Sequence, residues 1–147
     1  MNKENLLQDR RRSAAGRPVL TSALRLFTTK KTKDVTESDV KKAVKQIVKG
    51  MAPNSYMFWP VQSGYGASDL DLIASVNGFC LRVETKVAGR KPTPRQRLVT
   101  EKLTRSGVPV LWIDQNNLTD LAVVLDLLLV GKQGDALEMA RLSREEF

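Results

Sequence analysis

Asp71-Leu72-Ile73-Ala74-Ser75-Val76-Asn77-Gly78-Phe79-Cys80-Leu81-Arg82-Val83-Glu84-Thr85-Lys86 is the stretch from which the fold of this chain is read. Two apolar runs, Leu72 to Val76 and Phe79 to Val83, flank Asn77-Gly78, a dipeptide suited to the positive backbone angles of a two-residue hairpin turn. The pattern predicts two antiparallel strands. Asp71 leads the first, and the second runs back to deliver Glu84 and Lys86 beside it. Glu84 and Lys86 are two residues apart, so on a strand both side chains leave the same face. Two carboxylates and an ammonium at one sheet edge are costly to hold together unless a metal ion or a phosphate accompanies them.

Working outward, 147 residues predict one domain with a sizeable core. Thr36, with Asp39 three residues on, reads as the start of a helix whose buried stripe is Val40, Ala43, Val44, Ile47 and Val48. Pro53 blocks its continuation. Tyr56 to Val61 reads as a strand, and Ser63-Gly64-Tyr65-Gly66-Ala67-Ser68 as a Gly-rich loop before Asp71. After the hairpin, Thr93-Pro94 opens a second helix, with Thr as N-cap and Pro at the first position. That helix predicts Leu98, Val99 and Leu103 inward and a stop at Gly107. Val108 to Ile113 is apolar throughout, as expected of a central strand. Asn117 begins a long helix ending near Gly131. The order predicts an α/β fold with a mixed sheet flanked by helices. Three segments are expected: a basic, partly ordered arm (1–34) with one short helix near Thr21 to Phe27, a core (35–131), and a C-terminal extension (132–147).

Composition restricts the chemistry. The chain has no histidine and one cysteine, Cys80. Imidazole-dependent triads, histidine-metal nucleases and Cys/His zinc sites are excluded, as is an internal disulfide. Cys80, in an apolar strand, is expected to be a reduced core residue. Carboxylates, amides and amines remain, and hard oxygen ligands favour magnesium or manganese. Charge is uneven: residues 1–50 hold 13 Lys/Arg against 5 Asp/Glu, a net +8, and residues 51–147 hold 11 of each. A basic arm on a balanced domain points to a polyanion, nucleic acid first. The arm's other expected role is docking on the domain or bridging a dimer through Leu20, Leu24 and Phe27. Charges at Glu4, Asp9 and Arg10-Arg11-Arg12 leave no apolar segment of a secretory signal, and Asp120 and Asp126 interrupt the most apolar run. The expectation is a soluble, intracellular protein with no membrane partner.

With Asp71, Glu84-Thr85-Lys86 and Lys91-Pro92-Thr93-Pro94-Arg95-Gln96 in place, the chain resembles the PD-(D/E)xK nuclease superfamily. It is closer to the virus-type replication-repair nuclease (VRR-NUC) family, typically small phage or bacterial proteins. The resemblance covers roughly Thr36 to Asp114. Ser63-Gly64-Tyr65-Gly66 resembles the family's glycine-rich approach to its Pro-Asp pair, and Thr93-Pro94-Arg95-Gln96 its Thr-Pro-x-Gln helix start. Glu37 resembles its helical glutamate. Leu70 stands where the family has proline, and Asp69 is an extra acid that could share the face of Asp71.

The resemblance implies a restriction-endonuclease-like fold and a metal-dependent DNA endonuclease acting on branched or Holliday-type junctions. It also implies a cytoplasmic setting in a bacterium or bacterial host. Asp71, Glu84 and the Thr85 carbonyl would hold Mg²⁺ or Mn²⁺, with Glu37 a candidate for a second metal. Lys86 would orient or deprotonate the attacking water, and Gln96 would bond the water or hold Lys86. Arg10, Arg11, Arg12, Lys30, Lys31 and Lys33 in the arm are candidate DNA contacts, as are Tyr65, Arg90, Lys91 and Arg95 near the site. A homodimer is implied, since a junction offers two symmetric cuts, and the surplus of apolar positions from Leu118 to Val130 suggests part of its surface. The alternatives are a non-catalytic DNA-binding module on the same fold, and a nuclease for simple duplex or single strands.

Overall fold

The computed structural model describes residues 2–61 and 70–147. Along the chain lie α1 (Lys3–Ala15), α2 (Pro18–Thr28), a 3₁₀ turn (Thr32–Asp34), α3 (Glu37–Met51), β1 (Tyr56–Phe58), β2 (Leu72–Val76) and β3 (Phe79–Thr85). There follow α4 (Pro94–Arg105), β4 (Val110–Ile113), α5 (Leu118–Leu129) and α6 (Gln133–Glu146). The sheet order is β1-β2-β3-β4, antiparallel except for the parallel β3–β4 pair. The fold is α/β, a four-stranded mixed sheet flanked by helices.

The hairpin forms as its sequence dictates. Asn77 and Gly78 both take positive φ, 51° and 80°, and Val76 faces Phe79 across the turn. The register then separates two unlike faces. Leu72, Ala74, Val76, Leu81, Val83, Leu111 and Ile113 are buried together in the core with α3 and α5. The other face carries Tyr56, Phe58, Ile73, Ser75, Cys80, Arg82, Glu84 and Trp112. On this second face Tyr56 and Phe58 are exposed, and so is Cys80. The expectation of a core cysteine is thus corrected: Cys80 alternates away from the aliphatic layer.

Both expected helix starts close reciprocal caps. Thr36 Oγ1 accepts from the Asp39 N–H, and Asp39 Oδ2 accepts from the Thr36 N–H. The Thr36 N–H, then Lys30 at 2.9 Å, hold the Asp39 carboxyl at about 2. Thr93 and Gln96 form the same box at α4. α4 departs from its expected packing, however. Leu98 is exposed, Val99 and Leu103 are half-buried, and Thr100 is the buried residue. The reason is the face it covers. Thr100 accepts from the Trp112 indole N–H at 3.1 Å, and the polar face of β3 and β4 offers little aliphatic surface to pack.

The N-terminal segment is not the partly ordered arm expected. It forms two helices, with Leu7, Ala14, Leu20 and Ala23 buried in the common core. Gly50 of α3 permits the close approach of α2, since a Cβ there would meet Val19 Cγ2 at 2.3 Å. The C-terminal extension is likewise a full helix, α6. Enclosed by these helices, α5 buries Leu118, Leu121, Ala122, Val123, Val124, Leu125, Leu127 and Leu128 within one chain. Its apolar surplus is therefore used inside the monomer, and the expected dimer surface on this helix is corrected.

The arm's cations meet acids from α5 and α6. Arg11 bonds Asp120 at 2.6 Å and Glu146 at 2.7 Å, and Asp120 also accepts from Ser143 Oγ at 2.6 Å. The Asp120 bond is the main reason the Arg11 guanidinium is held above its ordinary range. Lys3 lies 3.3 Å from Glu138, Arg10 lies 3.7 Å from Asp135, and Arg17 pairs with Asp126. Arg11 is thereby a structural cation and not the free phosphate ligand expected. A cleft of about 610 Å³ beside this network, lined among others by Arg11, Asp120, Ser143 and Glu146, has its central charges already paired.

A candidate active site at the end of the sheet

The hairpin register sets Asp71 opposite Glu84, one step beyond the Leu72–Val83 pair. The Asp71 N–H donates to Glu84 Oε2 at 3.1 Å. Asp71 Oδ2 accepts from both the Thr85 N–H at 2.9 Å and the Thr85 hydroxyl at 2.7 Å. Lys86 Nζ lies 3.2 Å from Glu84 Oε1. Its backbone N–H donates to the Ile113 carbonyl at 2.8 Å, which continues the β3–β4 pairing and fixes where the side chain emerges.

Gln96 enters from the first turn of α4. Its Nε2 donates to Glu84 Oε1 at 2.6 Å while its Oε1 accepts from the Thr93 N–H at 2.9 Å. The capping amide therefore bonds the Glu84 carboxylate and not Lys86, which corrects one of the two roles expected for it. Lys41 was not singled out in the sequence. It reaches from the second turn of α3 to within 3.4 Å of Asp71 Oδ1. Its position four residues after Glu37 on the same helix was the available signal. The Thr85 hydroxyl carried no such signal, because period-two alternation places it on the face opposite Glu84.

Electrostatics single out Glu84. It is 2 % exposed, and its carboxyl is pushed up to about 7. Burial is the largest cause and the nearby Asp71 charge the next; the Lys86 ammonium acts in the opposite direction. The ionised form of Glu84 is thus disfavoured even with the Lys86 ammonium beside it. The oxygens of Asp71 and Glu84, with the Thr85 carbonyl next along the chain, are hard donors of the kind that would suit a magnesium-type ion. Among the described residues, no three Asp, Glu, His or Cys side chains cluster to hold a metal.

The remaining expected site residues lie at varied places. Glu37, half-buried at the head of α3, makes no hydrogen bond or ion pair with the cluster. Arg90, Lys91 and Arg95 are exposed on the segment between Lys86 and α4 and in its first turn. Lys91 sits over the Phe147 ring at 5.1 Å. Arg12 is exposed, 3.6 Å from Asp9, and Lys30 pairs with Asp39. Lys31 and Lys33 are exposed around the 3₁₀ turn. Tyr65, its Gly-rich loop and Asp69 lie outside the described residues.

Comparison of the chain with models of protein families, with curated proteins and with solved structures finds no match. Geometry and chemistry therefore bear the functional reading. Among the described residues, no helix is long and apolar enough to cross a membrane.

Proposed function

We propose that this protein is a metal-dependent DNA endonuclease of the PD-(D/E)xK type, of the VRR-NUC kind, acting on branched DNA. One observation carries the reading: Asp71, Glu84, Lys86 and Gln96 come from three separate elements and meet in a chain of contacts between 2.6 and 3.2 Å. A surface ion pair between Glu84 and Lys86 would need neither a buried carboxylate opposing a second one nor an amide fixed upon it.

Asp71, Glu84 and the Thr85 carbonyl would hold the ion. When bound, Mg²⁺ polarises the phosphate and acidifies a coordinated water. Lys86, beside Glu84, would orient an attacking water and offset charge growing on the phosphate in the transition state. Thr85 and Gln96 fix the rotamers of Asp71 and Glu84, which keeps the oxygens preorganised. Lys41 supplies a second ammonium on the α3 side of Asp71. A homodimer, as the resemblance implies, would use a surface other than α5.

The test pairs matched four-way, flap, duplex and single-stranded DNA with Mg²⁺ or EDTA. Cleavage in Mg²⁺ alone, fastest on the branched forms, is expected, and Asp71→Asn should abolish it. A readout without turnover runs beside it: millimolar Mg²⁺ should raise the melting temperature of the wild type and not that of Asp71→Asn. Absence of both cleavage and metal stabilisation refutes the proposal.

A further inference from the structure

Much of the positive charge of the first thirty-four residues is paired with acids elsewhere in the fold. Lys3, Arg10, Arg11 and Arg17 are paired with acids of α5 and α6, and Lys30 with Asp39. α3 differs. Lys42, Lys45 and Lys49 are exposed and have no acid partner among the described residues, and Lys41 has only the site aspartate Asp71.

Three of these four form a line. Lys41, Lys45 and Lys49 are spaced by four, so each lies one turn, about 6 Å, along the axis from the last and about 40° further round. Lys41 leaves the helix beside its buried stripe, on the flank away from α2, and the step of about 40° per turn carries Lys45 and Lys49 round onto the solvent face. α2 holds the other flank, where Ser22 bonds Gln46 and Val19 lies against Gly50. The line begins 3.4 Å from Asp71. Its middle member is backed by an aromatic ring, with Lys45 Nζ 5.0 Å from the Trp59 centroid. Trp59 is half-buried against the core, so this ammonium is held over a fixed surface. A solvated helix face has no need to end on a catalytic-type carboxylate.

We infer that α3 is the nucleic-acid track: Lys45 and Lys49 bind successive phosphates of a DNA strand, and Lys41 binds the phosphate nearest Asp71 and feeds it to the site. This rests on the nuclease reading for the role of Lys41, while the track itself requires only DNA binding. It relocates the phosphate contacts from the N-terminal arm to α3.

The experiment measures binding of a fluorescent four-way DNA junction in EDTA at several salt concentrations. The proteins are the wild type, Lys45→Ala, Lys49→Ala, the double variant, Lys41→Ala, and Lys132→Ala as an exposed lysine off the track. Lys45→Ala and Lys49→Ala should each weaken binding several-fold near 0.1 M salt. Each should also flatten the slope of log K against log salt by about one unit, and the pair by about two. Melting temperatures should stay at the wild-type value, and Lys132→Ala should bind as the wild type does. Lys41→Ala should lose cleavage in Mg²⁺ beyond its loss of binding, read at saturating DNA. Wild-type slopes in the α3 variants, or equal losses in Lys132→Ala, overturn the track even if the protein cuts DNA. Flattened slopes with no cleavage under any condition uphold the track and sink the nuclease reading instead.

Discussion

Glu84→Gln isolates the electrostatic strain at the site, and its magnitude follows from the structure. The Glu84 carboxyl is raised from 4.5 to about 7, chiefly by burial and then by Asp71. At 1.36 kcal/mol per unit this amounts to roughly 3 kcal/mol of folding free energy in the metal-free protein. The sign follows from proton counting. Below about pH 4.5 the carboxyl is protonated folded and unfolded, and no penalty applies. Between about 4.5 and 7 the unfolded chain releases the proton first, so stability falls as pH rises. Above about 7 both states are ionised and the whole penalty remains. Gln cannot titrate. Its amide keeps one acceptor oxygen, so it also loses part of the bonding to the Asp71 N–H, Gln96 and Lys86, at every pH alike. The informative quantity is therefore the change with pH in the stability difference between variant and wild type. Denaturant unfolding in EDTA from pH 4.5 to 8 should show the variant gaining roughly 3 kcal/mol relative to wild type. Curves that stay parallel to within about 0.5 kcal/mol refute a raised Glu84.

Lys86→Ala should cut cleavage by on the order of 10²-fold or more with DNA binding nearly unchanged. In EDTA it should also move the Glu84 step to higher pH, because Lys86 is the charge that lowers it. Arg11→Ala leaves Asp120, 2 % exposed, with Ser143 and no cation, and should cost about 3 kcal/mol by denaturant unfolding; a loss under about 1 kcal/mol would show that the network is dispensable. Gly50→Ala should destabilise by about 1–3 kcal/mol despite alanine's helix propensity, since the β-branched Val19 has little room to yield. A rise in melting temperature would mean that α2 shifts at no cost. Deleting residues 1–33 should lower the melting temperature sharply, because Leu7, Ala14, Leu20 and Ala23 leave the core with it.

What was legible in the sequence was local and periodic. Asn77-Gly78 admits few other turns, and the Thr36 and Thr93 boxes announce themselves through side chains that bond their own first turn. The hairpin arithmetic then placed Asp71 opposite Glu84 without further information. What escaped was decided by partners distant in sequence. α1 carries buried residues only at Leu7 and Ala14, with Leu6 partly so, too sparse a stripe to mark a docked helix, and its docking depends on α5 and α6 more than a hundred residues away. Thr100 became the buried residue of α4 because the sheet face beneath it is polar, a property of β3 and β4 and not of the helix. Leu98 was assigned inward by period alone, which identifies a face but not the surface that meets it.

Charge shows the same division between what a segment sums to and what a surface presents. Residues 1–50 total +8, yet the arm places Arg10, Arg11 and Arg17 against Asp120, Asp126, Asp135 and Glu146, and those acids come from the half whose charges cancel in the sequence. The net charge of the chain is fixed at +8, so these pairings leave basic residues uncompensated at other places, on the arm at Arg25, Lys31 and Lys33 and on α3. The unpaired lysines of α3 are part of that remainder, and Lys41 begins their line at Asp71. In the same cluster, burial and then the Asp71 charge keep Glu84 from ionising below about 7 despite Lys86 beside it. A polyanion and a divalent cation arriving together would satisfy both imbalances. Either alone leaves one unmet: phosphate without the cation adds a further anion beside Asp71 and Glu84, and the cation without phosphate leaves the lysines unpaired. Strand binding and metal binding should therefore strengthen one another.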